Sequence, residues 1–248
     1  MQFIRKAYRR WQLHTQHALA GLSLCRVCDQ WACQPVCANC WDTHAPALPR
    51  CASCALPVTS GFCRACQDLA PDWQRCAVAL PYSGPWPALI AAFKYQGEVG
   101  LARLFGQQMR QQALVQQVLE NVDGLVPVPL SREKLRQRGY NQSQWLAHHI
   151  CAKRTLPQAL LRGRNTPAQA GLTWAQRQHN LDHAITWNPS QAKDLQGKRL
   201  ALVDDVMTTG STLAACAQAL WQAGAVQVDC LVLARAALGH TPQSGTTP

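Results

Sequence analysis

Eight of the thirteen cysteines stand in four Cys-x2-Cys pairs, and all eight fall between residues 25 and 66. The spacing repeats. Cys25 and Cys28 are separated by eight residues from Cys37 and Cys40, and Cys51 and Cys54 by eight from Cys63 and Cys66. Few folds tolerate such a pattern. Two short knuckles facing each other supply four soft thiolates in a tetrahedron, the set Zn²⁺ prefers. The pattern predicts two structural zinc ions on Cys25, Cys28, Cys37, Cys40, Cys51, Cys54, Cys63 and Cys66. Pairing within each half is the simplest arrangement, and an interleaved cross-brace has the same spacing. Redox thiols or disulfides fit eight such residues poorly. Cys33, between two knuckles, reads as a spare buried thiol rather than a ligand, and Cys76, Cys151, Cys216 and Cys230 are scattered. A module this short has little core of its own, so the metal supplies folding energy.

Length allows more than the ribbons. At ~150 residues per domain, 248 residues suffice for one α/β domain beside a small module. Residues 1–21 read as a basic amphipathic helix, 22–72 as the double ribbon, 75–237 as the larger domain and 238–248 as a flexible tail. No apolar run approaches the ~18 residues of a membrane span. The N-terminus lacks the apolar core of a signal peptide. A cytoplasmic location is the expectation. In the larger domain, strands are expected at "RCAVALPY", "GLVPVP", "AITW", "RLALVDD" and "VQVDCLVLAR". Helices are expected over 86–95, 98–120, 140–153 and 211–223. Strands separated by helices predict a parallel sheet with helices on both faces.

The most informative stretch of that domain is "RLALVDDVMTTGST", residues 199–212. An unalternating apolar run marks a buried strand. It delivers Asp204 and Asp205 to the strand's C-terminal end, where open α/β sheets bind ligands. The loop Met207, Thr208, Thr209, Gly210, Ser211 and Thr212 then enters a helix. Its N–H groups and hydroxyls can surround a phosphate, assisted by the helix dipole. Adjacent carboxylates suit the vicinal hydroxyls of a ribose, with Mg²⁺ nearby. The bland alternative is a helix capped by Ser211 or Thr212. Arg138, Arg162 and Arg177 each offer a planar fork for phosphate oxygens, and Lys94 a point charge. Asn141 and Gln142 suit the cap of the following helix, and Gly97 and Gly139 suit turns.

"VDDVMTTGST" resembles the phosphoribosyl pyrophosphate motif of the type I phosphoribosyltransferases. That resemblance implies ribose contacts from Asp204 and Asp205 and 5′-phosphate contacts from Thr208 to Thr212. "LVPVPLSREKLRQRGYNQ" stands where that fold carries its pyrophosphate loop, and "LLRGRNTPAQAGLTWAQRQHN" where it carries a lid. With the cysteine ribbon and "FKYQG" (residues 93–97), the order of motifs is similar to the ComF/GntX family of phosphoribosyltransferase-like competence proteins. The resemblance spans roughly residues 22–235. It implies a type I phosphoribosyltransferase-like sheet behind a double zinc ribbon, a ligand such as phosphoribosyl pyrophosphate with Mg²⁺, and a role in DNA uptake or use of extracellular DNA. On it, Asp204, Asp205, Arg138 and Arg177 form the catalytic set, and Lys94, Arg138 and Arg162 serve the pyrophosphate and lid.

Two features bear on turnover. Thr208 stands where some purine-using relatives place an acid, and "PLSREK" lacks the usual Asp-Ser-Gly or Gly-Gly turn. An active Mg²⁺-dependent transferase with an unknown acceptor is therefore the alternative to a binding and adaptor protein. The net charge of +11 favours anionic partners. Eight basic residues and one acid lie between Arg132 and Arg164. Single-stranded DNA and DNA-processing proteins are the expected macromolecular partners, although only Tyr140 and Trp145 offer stacking faces nearby. His148, His149, His179 and His183 read as surface or core residues rather than catalysts.

Overall fold

The structure, a computed structural model, describes residues 23–163 and 185–237. The expected N-terminal helix, Arg177, His179, His183 and the tail lie outside them. The chain divides into two compact units, Met1–Ala47 and Leu48–Pro248. Cys25, Cys28, Cys37 and Cys40 belong to one unit, and Cys51, Cys54, Cys63 and Cys66 to the other.

Within the first unit, β1 (Ser23–Leu24) pairs antiparallel with β2 (Trp31–Ala32), and α1 (Ala38–His44) follows. The second unit opens on a knuckle of the same design and continues into α2 (Arg64–Asp68). The two knuckles share their turn bonds. Asp29 N–H donates to Cys25 O and Ala55 N–H to Cys51 O; Cys25 N–H reaches Gln30 O and Cys51 N–H reaches Leu56 O. Asp29 and Ala55 both take φ 57°, an unusual conformation for non-glycine residues. Cys37 and Cys63 each stand at a helix N-cap with extended backbone. The spacing repeat is thus a structural repeat.

The rest of the second unit surrounds a four-stranded parallel sheet. Its strands are β3 (Cys76–Pro81), β4 (Gly124–Pro127), β7 (Arg199–Met207) and β8 (Gln227–Arg235), in the order β3-β8-β7-β4. β7 and β8 are central and buried nearly throughout, as their unalternating apolar sequences require. A second, antiparallel pair joins β5 (Leu160–Arg162) to β6 (Ile185–Trp187). β6 matches the strand expected at "AITW"; β5 is an addition.

The helices are α3 (Trp86–Tyr95), α4 (Leu101–Gln111), α5 (Ala113–Asn121), α6 (Arg132–Arg138), α7 (Gln142–Cys151), α8 (Ala192–Leu195) and α9 (Ser211–Gln222). The single helix expected over 98–120 is two. Gln112 is extended, at φ −70° and ψ 129°, and the chain turns there without glycine or proline. Met109, Val115 and Val118 are all buried. On one straight helix Met109 and Val115 would stand roughly 120° apart, so the break swings the second segment's apolar residues inward. α6, not expected, is bounded by Ser131, whose side chain accepts from Lys134 N–H, and by Gly139 at φ 78°. Asn141 caps α7 as expected, accepting from Ser143 N–H and Gln144 N–H. Among the described residues no helix is long and apolar enough to cross a membrane.

Candidate functional site

β7 delivers Asp204 and Asp205 to the C-terminal edge of the sheet. Successive strand residues face opposite ways, so the two carboxylates meet different neighbours. Asp204 Oδ1 accepts from Ser143 Oγ, in the first turn of α7, at 3.0 Å, and from the Asp205 N–H at 2.9 Å. Asp205, 4% exposed, takes the Lys94 ammonium on Oδ1 at 2.7 Å. Its Oδ2 is buried with no hydrogen-bond partner among the described residues. A buried carboxylate oxygen without a donor is costly, and a hydroxyl or a cation is what could satisfy it.

Charge in this cleft is finely balanced. Burial pushes Asp204 up to about 7, and the adjacent Asp205 carboxylate adds to it; the Asp205 N–H, Lys94 and Ser143 oppose the rise only in part. Burial alone would lower Lys94, but the Asp205 carboxylate outweighs it and holds the ammonium above its usual range.

The loop after β7 enters its helix without a capping side chain at the N-cap position. α9 begins at Gly210, φ 86°, and no side chain caps it. Ser211 and Thr212 do not serve as the cap; the Thr209 and Ser211 hydroxyls bond each other at 2.7 Å. The Ser211 N–H donates to Thr209 Oγ1 at 3.4 Å, and Gly210 at the N-cap has no side chain to offer the Thr212 and Leu213 N–H groups that follow in this 12-residue helix. Gly210 has a second reason to be glycine. A Cβ there would come within 2.9 Å of Met207 Cε and 3.1 Å of Trp73 Cη2.

The cations gather nearby. The Arg138 guanidinium lies over the Tyr95 ring, 4.8 Å from its centroid, and donates to Tyr95 Oη at 3.3 Å. Tyr140 donates to Phe93 O. The Arg-Gly-Tyr and Phe-Lys-Tyr stretches therefore lock together. Burial lowers Lys134, and Arg162, Arg138 and Lys94 push it the same way. Three of the expected phosphate-binding cations thus lie close enough to repel a fourth, Lys134. Arg132, Arg136, Gln144, Leu161 and Arg162 line an adjoining open cleft of about 910 Å³.

The cysteines resolve into two sets, Cys25, Cys28, Cys37, Cys40 and Cys51, Cys54, Cys63, Cys66, each with all Sγ atoms within 4.8 Å. Pairing is sequential, not interleaved. Sγ separations of 3.8 Å (Cys25–Cys40), 3.8 Å (Cys28–Cys37) and 3.5 Å (Cys54–Cys63) approach the ~3.8 Å edge of a tetrahedron with Zn–S bonds of ~2.3 Å. Both sets fit zinc. Cys33 belongs to neither set, as expected, but it is exposed rather than buried.

Ser143, Lys134, Tyr95, Trp73 and Arg235 are site-forming residues that sequence reasoning missed. Ser143 and Tyr95 adjoin residues it singled out, and their offsets from Asn141 and Lys94 carried a usable signal. Trp73 and Arg235 reach the site only through tertiary packing.

The phosphoribosyl transferase domain family matches residues 157–245. Competence protein F of Haemophilus influenzae is 30% identical over 210 residues, covering 81% of this chain and 90% of that protein. DNA utilization protein YhgH of Escherichia coli K12 is 32% identical, over 84% and 94%. Competence protein ComFC of Bacillus subtilis is 35% identical over 112 residues, 45% of this chain and 44% of that one. The solved structures it resembles include a glutamine phosphoribosylpyrophosphate amidotransferase from B. subtilis, at 16% identity and TM-score 0.34, covering 56% of this chain and 26% of that one. With its two four-cysteine groups ahead of a parallel sheet, the chain belongs to the ComF/GntX family of phosphoribosyltransferase-like competence and DNA-utilisation proteins.

Proposed function

We propose that the second unit binds phosphoribosyl pyrophosphate, or a closely related ribose phosphate, with Mg²⁺. The observation that carries this reading is the orphaned Asp205 Oδ2 on the strand that leads into α9, whose N-cap, Gly210, has no side chain to offer. Ribose hydroxyls donate to Asp204 and Asp205. The 5′-phosphate accepts from N–H groups and hydroxyls between Thr208 and Thr212. Lys94, Arg138, Arg162 and Lys134 supply positive charge for the pyrophosphate, and Arg177 belongs to the same set through its place in the lid stretch. Mg²⁺ offsets pyrophosphate charge when it enters with the ligand. Zn²⁺ cross-links each four-cysteine set.

The relatives' names supply the biological setting. One is a competence protein and another a DNA utilization protein, so the ribose-phosphate site serves uptake or use of DNA in the cytoplasm. Single-stranded DNA runs along the cleft of Arg132, Arg136 and Arg162, where phosphates meet guanidinium groups and DNA-processing proteins receive the strand.

Calorimetric titration with phosphoribosyl pyrophosphate and Mg²⁺ tests the reading. Saturable binding that disappears in Asp204→Asn/Asp205→Asn is expected; equal binding by that variant overturns it. Pyrophosphate release measured across a panel of bases and amines then separates a transferase from a binding protein.

A further inference from the structure

The second cysteine set does not stand apart from the sheet. Cys51, Cys54 and Ala55 share one buried cluster with Trp73, Cys76, Met207 and Leu213. Cys76 N–H donates to Ala52 O at 2.9 Å, so the strand β3 starts on the knuckle itself. Trp73 Nε1 donates to Ser53 O at 2.6 Å, while the far edge of the same indole lies against Gly210. One side chain therefore touches both the knuckle and the loop proposed to hold the 5′-phosphate.

Arg235, the last residue of β8, makes the second connection. It is 5% exposed. Its Nε donates to Cys54 O at 2.8 Å. Its Nη1 donates to Met207 O at 3.0 Å, to Thr208 O and to Ala236 O at 2.8 Å. The fork thus spans the metal knuckle and the first two residues of the loop. Among the described residues no carboxylate pairs with it. A buried guanidinium needs a counter-charge. A divalent ion on four thiolates carries a net charge of about −2, and Arg235 and Arg50 both bond carbonyls of this knuckle, Arg50 through Ala55 O at 3.0 Å.

We infer that Arg235 is a positioning residue that couples the metal centre of Cys51, Cys54, Cys63 and Cys66 to the conformation of the Met207–Thr212 loop. The metal-thiolate charge holds the guanidinium, and the guanidinium holds the Met207 and Thr208 carbonyls so that the N–H groups beyond them face the ligand. The two cysteine sets then have different roles. The second builds the ligand site, and the first lies in another unit. This rests on the ribose-phosphate reading only for its effect on affinity. The coupling itself is read on the loop.

The test uses the full zinc-loaded chain and amide hydrogen exchange across residues 206–214, with zinc content measured in parallel. Cys63→Ser/Cys66→Ser should lose one zinc and raise exchange in this loop about tenfold. Cys37→Ser/Cys40→Ser should lose one zinc and leave the loop unchanged. Arg235→Gln should retain both zincs yet raise loop exchange by a similar factor, and Arg235→Lys should restore part of the protection. Phosphoribosyl pyrophosphate affinity should fall about tenfold in the first and third variants. Unchanged loop exchange in Arg235→Gln with both zincs bound overturns the coupling. So does an equal response to loss of either zinc. If phosphoribosyl pyrophosphate binds none of these proteins while the exchange pattern holds, the ligand reading fails and the coupling stands.

Discussion

Asp204 and Asp205 are neighbours in sequence with separate electrostatic tasks. Asp205 is neutralised by Lys94, and removing that partner leaves a buried charge alone. Lys94→Met should destabilise the second unit by about 3 kcal/mol in chemical denaturation. Adding Asp205→Asn should recover most of the loss; no recovery would show that the pair is not coupled. Asp204 behaves oppositely. Its folded carboxyl titrates at about 7, above the ordinary value of 3.8. Between those values the folded chain holds a proton that the unfolded chain has released, so this group's contribution to stability falls as pH rises towards 7. Asp204→Asn should melt roughly 3–6 °C above the parent at pH 8, with the gap closing towards pH 4. A gap that is constant with pH counts against the raised carboxyl. The two acids and the threonine-glycine loop were legible because strand, turn and helix start are local events. The partners of the acids were not, since Ser143 lies 61 residues from Asp204 and Lys94 lies 111 from Asp205.

At the scale of elements, periodicity located β3, β4, β7, β8, α3, α7 and α9. It failed where burial overrode it. Gln112 carries no breaking signal, and the turn there exists because Val115 and Val118 must reach the core. α6 did carry a signal, a Ser131 cap and a Gly139 stop, masked by its density of charge. The crossing of α4 and α7 shows packing that no pattern reveals. A Cβ on Gly106 would stand 2.5 Å from His149 Cβ and 3.3 Å from its carbonyl carbon. Alanine favours a helix over glycine by about 1 kcal/mol, yet overpacking costs about 1–3 kcal/mol and involves backbone here. Gly106→Ala should therefore lower the melting temperature; a rise would mean that the crossing yields easily.

Across the whole molecule, cysteine arithmetic revealed two four-cysteine sets but not their division between two units, because spacing records the cysteines rather than the surfaces packed behind them. The second set lies in a continuous core with the sheet through Ala55, Trp73 and Met207. Trp31, on the first unit, is 73% exposed. Net charge makes a prediction at the same scale. If Arg132, Arg136 and Arg162 each meet one phosphate, the affinity for a single-stranded oligonucleotide should fall with salt at a log–log slope of roughly −2. Equal affinity at about 50 mM and about 200 mM salt would remove phosphate contacts from the account.

The sheet order has a consequence for how the chain comes into being. β3 pairs along its length with β8, whose residues follow it by about 150 positions in sequence. At roughly 5–20 residues per second, the ribosome would expose β3 roughly 8–30 s before its partner strand. During that interval the second knuckle is complete in sequence, while Arg235 has not been synthesised. A nascent chain that captures metal early would meet the returning strand with its anchor already built. One that captures metal late would have to fold Cys76 and Met207 against loose thiols, and the delay would be measurable as metal-dependent yield during synthesis.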